Sequence, residues 1–282
     1  MRFRRIGAEG AEVPVVVSGD AAYDIRGVTP DIDGAFLSGD GVARVAAALA
    51  AGELPAVGTD GVRIGPPVAR PGKVVCIGLN YRDHAAETGA AIPAEPVVFM
   101  KDPTTVVGPN DTVLIPKKSV KTDWEVELGV VIGKQGRYLE SHEDAAATIA
   151  GYVLSHDVSE REFQIERGGT WDKGKNAETF NPMGPDFVTA DEVADPQNLG
   201  LRLWVNGHQQ QNGTTADMIF GVYEIVRYLS WFMVLRPGDV INTGTPAGVA
   251  LGMKEPKYLR AGDVVELEID GLGRGRQEFE QA

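Results

Sequence analysis

Residues 123–133, Asp-Trp-Glu-Val-Glu-Leu-Gly-Val-Val-Ile-Gly, constrain the fold of this chain more than any other stretch. Val126, Leu128 and Val130 alternate with Glu125, Glu127 and Gly129, which is the two-residue period of a β-strand. Residues i and i+2 of a strand lie on one face, roughly 7 Å apart. Glu125 and Glu127 therefore share a face beside an apolar run that must be buried. Carboxylates held that close repel unless something neutralises them. A hard cation with oxygen ligands does so. An edge strand that turns both glutamates to water fits the same letters.

Composition narrows what such a strand can serve. The chain has 282 residues, 43% of them apolar, enough for one large domain or a small domain beside a larger one. A net charge of −13 and a pI near 4.8 argue against nucleic acid or an anionic membrane as partner, since both need a basic face. The one cysteine, Cys76, cannot form an intrachain disulfide, which points to a reducing cytoplasm. The opening MRFRRIG is not followed by the apolar region of a signal peptide, and no apolar run is long enough to span a bilayer. Zinc-ligand spacing, a Walker loop and a G-x-S-x-G elbow are all missing.

Along the chain, residues 1–68 read as a small unit with strands over 12–17 and 21–25 and a helix over 41–51. Gly65-Pro66-Pro67 and Arg70-Pro71-Gly72 mark its boundary with residues 69–282. Residues 73–77 form a buried strand that leads to a helical turn, on which His84 and Glu87 are i,i+3 neighbours. A carboxylate beside an imidazole orients it and raises its basicity, a general-base arrangement; an exposed ion pair has the same spacing. Residues 89–96 are small and weakly patterned, as a lid or as a surface loop.

Asp157 follows a strand over 151–154, at a strand-to-helix junction. Ser159 with Glu162 predicts a capping box and a helix from 160, which puts Arg161 and Gln164 on one face. Asp157 is then either a third metal carboxylate or a cap, while His156 points to the opposite side. Asn206-Gly207 predicts a tight hairpin between strands. Apolar spacing predicts a long core helix over 216–235, and residues 263–269 a closing strand. The Gly-rich turn 243–249 offers backbone N–H groups that can hold an anion such as a carboxylate, or is a plain tight turn. Many strands and few helices indicate an α+β fold dominated by mixed or antiparallel sheet.

Five segments, in order, identity and spacing, resemble the fumarylacetoacetate hydrolase family over roughly residues 70–279. They are GLNYRDHAAE (78–87), DWEVELGVVIG (123–133), HDVSEREFQ (156–164), GKNAETFNPMGP (174–185) and TGTPAGV (243–249). The resemblance implies a mixed β-sandwich roll with a small N-terminal α/β domain, assembled as a cytoplasmic homodimer. It makes Glu125, Glu127 and Asp157 the metal carboxylates. It makes His84 and Glu87 a water-activating dyad on a mobile lid, with Gln164 and Lys175 facing a developing oxyanion. Tyr81, Arg161, Gly244 and Thr245 look like substrate contacts. Mg²⁺ or Mn²⁺ is the implied metal, with Ca²⁺ as a substitute in a crystal.

Animal members carry a further metal-binding aspartate shortly before the histidine. Here that stretch is Cys76-Ile77-Gly78-Leu79, without a carboxylate. The pattern is similar to the bacterial sugar-acid and acylpyruvate branch. The implied activity is hydrolysis of a C–C bond in a diketo acid: an acylpyruvate, a fumarylacetoacetate-like compound or a 2,4-diketo-3-deoxy sugar acid. Oxaloacetate-like 2-oxo acid decarboxylation, 2-hydroxydienoate isomerisation and a non-catalytic metal-binding scaffold are the alternatives.

Overall fold

The computed structural model describes residues 1–282. The strand expected around Glu127 runs over Val126–Ile132 and lies near the middle of an 11-stranded mixed sheet. On one side it pairs with Ile149–His156, then Phe187–Thr189 and the N-terminal strands Arg2–Ile6, Val13–Ser18, Ala21–Asp24 and Ala56–Val57. On the other side come Val240–Asn242, Val74–Gly78 and Val97–Lys101. A second sheet of five strands has the order His208–Thr214, Gly200–Val205, Val264–Ile269, Gly273–Gln281, Val113–Ile115. The result is the expected strand-rich α+β fold.

Strand alternation decides which residues fill which core. Val126, Leu128, Val130 and Ile132 face the second sheet and pack with Leu201, Leu203, Val265, Leu267 and Ile269. The odd-numbered residues face the other way. Val131 packs there with Val153, Met183, Phe187 and Val240 against Phe3, Val16, Phe36 and Val45 of the N-terminal region. Those first strands extend the large sheet through the pairing of Phe3 with Phe187. Glu127 shares the odd face with Val131, so it points away from the sandwich interior.

Four local expectations need correction. The segment 123–133 is not one strand: Thr122–Asp123 pairs with Ser159–Glu160 in a separate small sheet, and the chain breaks at Trp124 and Glu125 before Val126. Ser159 starts no capped helix. Its hydroxyl donates to Asp157 O, the Glu160 carboxylate accepts from Glu162 N, and a π-helical turn covers Glu162–Glu166. The long helix is limited to Val222–Leu229. Ile219 N donates to Asn80 O and Phe220 N to Asn80 Oδ1, so the preceding residues are tied to the loop before His84 and cannot wind up. The chain closes not with 263–269 but with a further strand, Gly273–Gln281, whose alternate residues are buried. The Asn206-Gly207 hairpin is as expected, both residues having positive φ (50° and 77°).

Candidate active site

The register of the central strand pair brings the acidic residues together. Val126 lies opposite His156 and Glu127 opposite Ser155. One step further, Asp157 N donates to Glu125 O at 3.0 Å, so Glu125 and Asp157 are cross-strand neighbours. Directly opposed residues share a face, and Glu127 is on that face two positions along. Ligand oxygens of Glu125, Glu127 and Asp157 all lie within 4.8 Å of one another, and all three residues are buried. His156 is on the opposite face, as expected, buried with its Nδ1 3.0 Å from Gln277 Oε1.

Cations surround the carboxylates from three elements. Lys175, on the short helix Asp172–Lys175, places Nζ 2.8 Å from Glu125 Oε2 and 2.7 Å from Asp157 Oδ2. Lys101 Nζ donates to Asp157 Oδ1 at 2.7 Å and to Val158 O at 3.1 Å. Arg161 donates from Nη2 to Glu125 Oε1 at 2.6 Å, from Nε to Asp123 Oδ2 at 2.8 Å, and from Nη1 to Gln164 Oε1 at 3.0 Å. Burial opposes ionisation of Glu125, but Lys175 and Arg161 outweigh it and hold its carboxyl below the usual range. Burial likewise opposes the charge on Lys175, yet Asp157 and Glu125 raise its pKa overall.

Glu127 is the exception. It has no cationic partner, and its one hydrogen bond comes from Gly244 N to Oε2 at 2.8 Å. Burial, then Asp157 and Glu125, push its carboxyl well above the ordinary range. Asp123, Glu125 and Asp157 are matched by Lys101, Arg161 and Lys175, so an ionised Glu127 would be a negative charge without a counter-charge. An all-oxygen donor set with such a charge suits Mg²⁺ or Mn²⁺. The residues present therefore fit a hard divalent cation.

Two of the triad, Glu125 and Glu127, border a cavity of about 250 Å³. His84, Arg161, Gln164, Lys175, Gly244 and Thr245 line it with them. His84 lies on the helix Arg82–Thr88, with Nδ1 2.9 Å from Glu87 Oε1. An ionised carboxylate only accepts, so a neutral imidazole in this contact would carry its proton on Nδ1 and leave Nε2 as an acceptor. Gly248 N donates to both Glu87 oxygens at 3.0 Å. The 243–249 turn thus holds carboxylates of this protein itself, Glu127 through Gly244 and Glu87 through Gly248. Thr245 Oγ1 is occupied by Val126 O and Gln211 Nε2. Asp157, Glu87 and Tyr81 are not among the lining residues: Asp157 is enclosed by its lysines, and Tyr81 is fully buried.

Sequence reasoning missed several groups. Asp123 accepts from Trp124 N, Ala250 N, Leu251 N and Arg161 Nε, and so aims the guanidinium at Glu125. Its signal was its place at the head of the 123–133 segment. Lys101 ends the strand Val97–Lys101 and is buried against Asp157; a buried lysine is nearly always paired, but its letter at the end of an apolar run reads as surface. Asp83 accepts from His84 N at 2.7 Å and Ala247 N at 3.2 Å, bracing the histidine against the glycine turn.

A sequence profile described as fumarylacetoacetate (FAA) hydrolase C-terminal matches residues 73–280. This chain belongs to the fumarylacetoacetate hydrolase family. Solved members of the family align with it over nearly their whole length. Fumarylacetoacetate hydrolase from Exiguobacterium antarcticum is 33% identical, with a TM-score of 0.85 and 100% of both chains covered. 2-Hydroxyhepta-2,4-diene-1,7-dioate isomerase from Mycobacterium marinum is 32% identical, with a TM-score of 0.77, covering 100% of this chain and 98% of that one. Maleylpyruvate hydrolase from Sphingobium sp. SYK-6, solved with manganese(II) and pyruvate, is 28% identical, with a TM-score of 0.82 and 100% of both chains covered. The fumarylacetoacetate hydrolase family thus contains hydrolases and isomerases on this fold. No helix of the chain is long and apolar enough to cross a membrane.

Proposed function

We propose that this protein is a divalent-metal-dependent hydrolase that cleaves a C–C bond in a diketo acid of the acylpyruvate type. The observation that carries the reading is the convergence of Glu125, Glu127 and Asp157 beside a cavity that is also lined by His84, which Glu87 holds from behind. Mg²⁺ or Mn²⁺ held by the three carboxylates would supply Lewis-acid polarisation of the substrate oxygens. Glu87 fixes the His84 ring so that Nε2 takes a proton from water. The hydroxide adds to the acyl carbonyl carbon, and Gln164 and Lys175 donate to the oxygen that becomes negative there. Loss of one such donor commonly costs about 3 kcal/mol. As that carbonyl re-forms, the C–C bond breaks with its electron pair on the departing 2-oxo acid carbon. His84 returns its proton to that carbon, giving one carboxylic acid and one 2-oxo acid. Arg161, Tyr81, Gly244 and Thr245 shape and position the site in this reading.

The relative from Mycobacterium marinum is named as an isomerase. Tautomerisation of a 2-hydroxydienoate needs the same base and the same acidic site but no water. Product analysis separates the two readings, since hydrolysis yields two acids and isomerisation one; an oxaloacetate-like decarboxylase would release CO₂. The roles are tested by calorimetric Mg²⁺ titration alongside an acylpyruvate assay. Glu127→Ala is expected to abolish metal binding, and His84→Ala to keep the metal while losing hydrolysis by a factor of about 10²–10⁴. Unchanged metal affinity in the Glu127 variant would sink the metal assignment. Full activity of the His84 variant would favour a base-free reaction, whereas a protein that binds Mg²⁺ but cleaves nothing in a broad diketo-acid panel would favour a scaffold. We take the working assembly to be a homodimer in the cytoplasm, which light scattering and fractionation check.

A further inference from the structure

Resting on the diketo-acid reading above, we infer that the acyl group released by this enzyme is apolar at its far end, and that Trp171 and Phe99 impose this choice. The cavity has two kinds of wall. One is the charged floor of Glu125, Glu127, Arg161 and Lys175, where a 2-oxo acid belongs. The other is built from Ile77, Leu79, Phe99, Ile165, Trp171 and Leu251, none of which carries a positive charge to meet a carboxylate.

The two walls meet at Phe99. Lys175 Nζ lies 4.9 Å from the Phe99 ring centroid, so the ring borders the floor directly. Trp171 stands next to it, the ring centroids 5.5 Å apart and the planes tilted by 58°. The indole is seated on Gly78: a Cβ there would fall 2.2 Å from Trp171 Cζ3. Any larger residue at 78 would drive the indole off this seat, so the glycine and the tryptophan are one device.

Charge accounting gives the specificity. Only His84, Arg161 and Lys175 among the lining residues can be positive. His84 faces Glu87, Arg161 is spent on Asp123 and Glu125, and Lys175 on Glu125 and Asp157. A substrate with a second, distal carboxylate would bring a charge against Trp171 and Phe99 with no cation left to meet it, and an unpaired charge taken from water is costly. An alkyl or aryl end gains from the same surfaces.

The test compares two acylpyruvates of matched length on the Mg²⁺-loaded full chain. Butyrylpyruvate ends in a methyl group where succinylpyruvate ends in a carboxylate. Each is cleaved by one water to pyruvate and the corresponding acid. The expected result is a kcat/KM at least tenfold higher for butyrylpyruvate, and a ratio that falls toward or below one in Trp171→Arg, which puts a cation on the apolar wall. Trp171 is only half-buried, so this variant is expected to fold. An equal or reversed preference in the unaltered protein overturns this inference and leaves the hydrolase reading standing. A ratio unmoved in Trp171→Arg overturns the role given to Trp171. If neither compound is cleaved, the hydrolase reading fails, and calorimetric binding still decides the wall. Tighter binding of butyrylpyruvate then supports the apolar end, and equal binding overturns it.

Discussion

Gly244 donates its backbone N–H to Glu127 Oε2 at 2.8 Å, and no other protein group hydrogen-bonds that buried carboxylate. Gly244 has φ +95°, a conformation that side chains disfavour, and a Cβ there would come within 2.8 Å of Asn80 Cβ and 3.1 Å of Ile77 O. The turn must therefore shift to accept any other residue. Gly244→Ala is expected to weaken Mg²⁺ binding at least tenfold while the far-ultraviolet circular dichroism keeps its native form. Calorimetry and dichroism on the same sample check this, and native affinity would show that the N–H does not orient Glu127.

Arg161 depends on Asp123, which it meets at 2.8 Å and which is itself held by three backbone N–H groups. Breaking one partner of a buried ion pair leaves the other charged and unpaired, at a cost of about 3–5 kcal/mol. Asp123→Asn preserves the shape but removes the charge, and its amide N–H₂ group can no longer accept what the carboxylate oxygen accepted. Denaturant unfolding is expected to show a loss of roughly 3 kcal/mol. A loss below 1 kcal/mol would mean that Glu125 alone suffices to compensate Arg161.

The parts of this site that were legible in the sequence are those fixed by local spacing. Glu125 and Glu127 are two apart at the start of a strand, and His84 and Glu87 are three apart on a helix, so each pair follows from backbone geometry. What brings Asp157 to Glu125 is strand register between distant segments, and no single segment encodes that. The same holds for the misread helix over 216–235: its apolar spacing is genuine, but Asn80 captures the backbone of Ile219 and Phe220. The Ser159 pattern failed for a related reason, since Glu160 takes the Glu162 N–H that the capping box would have used. Lys101 and Asp123 were passed over because single charges at the ends of apolar runs look like surface until their partners are seen.

Lys101 is completely buried, and burial lowers its pKa against the pull of Asp157. Removing it in Lys101→Met keeps most of the volume and leaves Asp157 with Lys175 alone. The metal-free variant is expected to lose about 3 kcal/mol of stability. Ligand binding to the folded state raises stability by mass action, and a divalent ion can replace the lost positive charge. Saturating Mg²⁺ should therefore raise the melting temperature of the variant more than that of the unaltered protein. Equal shifts in a calorimetric scan would place Lys101 outside the electrostatics of the metal site.

His156 faces the sandwich core, where Nδ1 donates to Gln277 Oε1 at 3.0 Å, the Phe279 ring lies 6.3 Å away, and Nε2 meets no polar group. Protonating Nε2 would create an unpaired buried donor. Burial accordingly lowers the pKa from 6.5 to about 4, against smaller opposing pulls from Gln277 and Asp157. Between those two values the unfolded chain binds a proton that the folded chain refuses, so stability falls as pH drops through this window and the loss is complete below about 4. The full effect corresponds to roughly 3 kcal/mol. His156→Gln can still donate to Gln277 and does not titrate. Denaturant unfolding at pH 7 and pH 4.5, with chelator present, is expected to show a smaller acid-induced loss in the variant by about 2–3 kcal/mol. Carboxylates shared by both proteins cancel in that difference. Identical losses would mean that the folded protein admits the proton, and that the imidazole is not held neutral by the core.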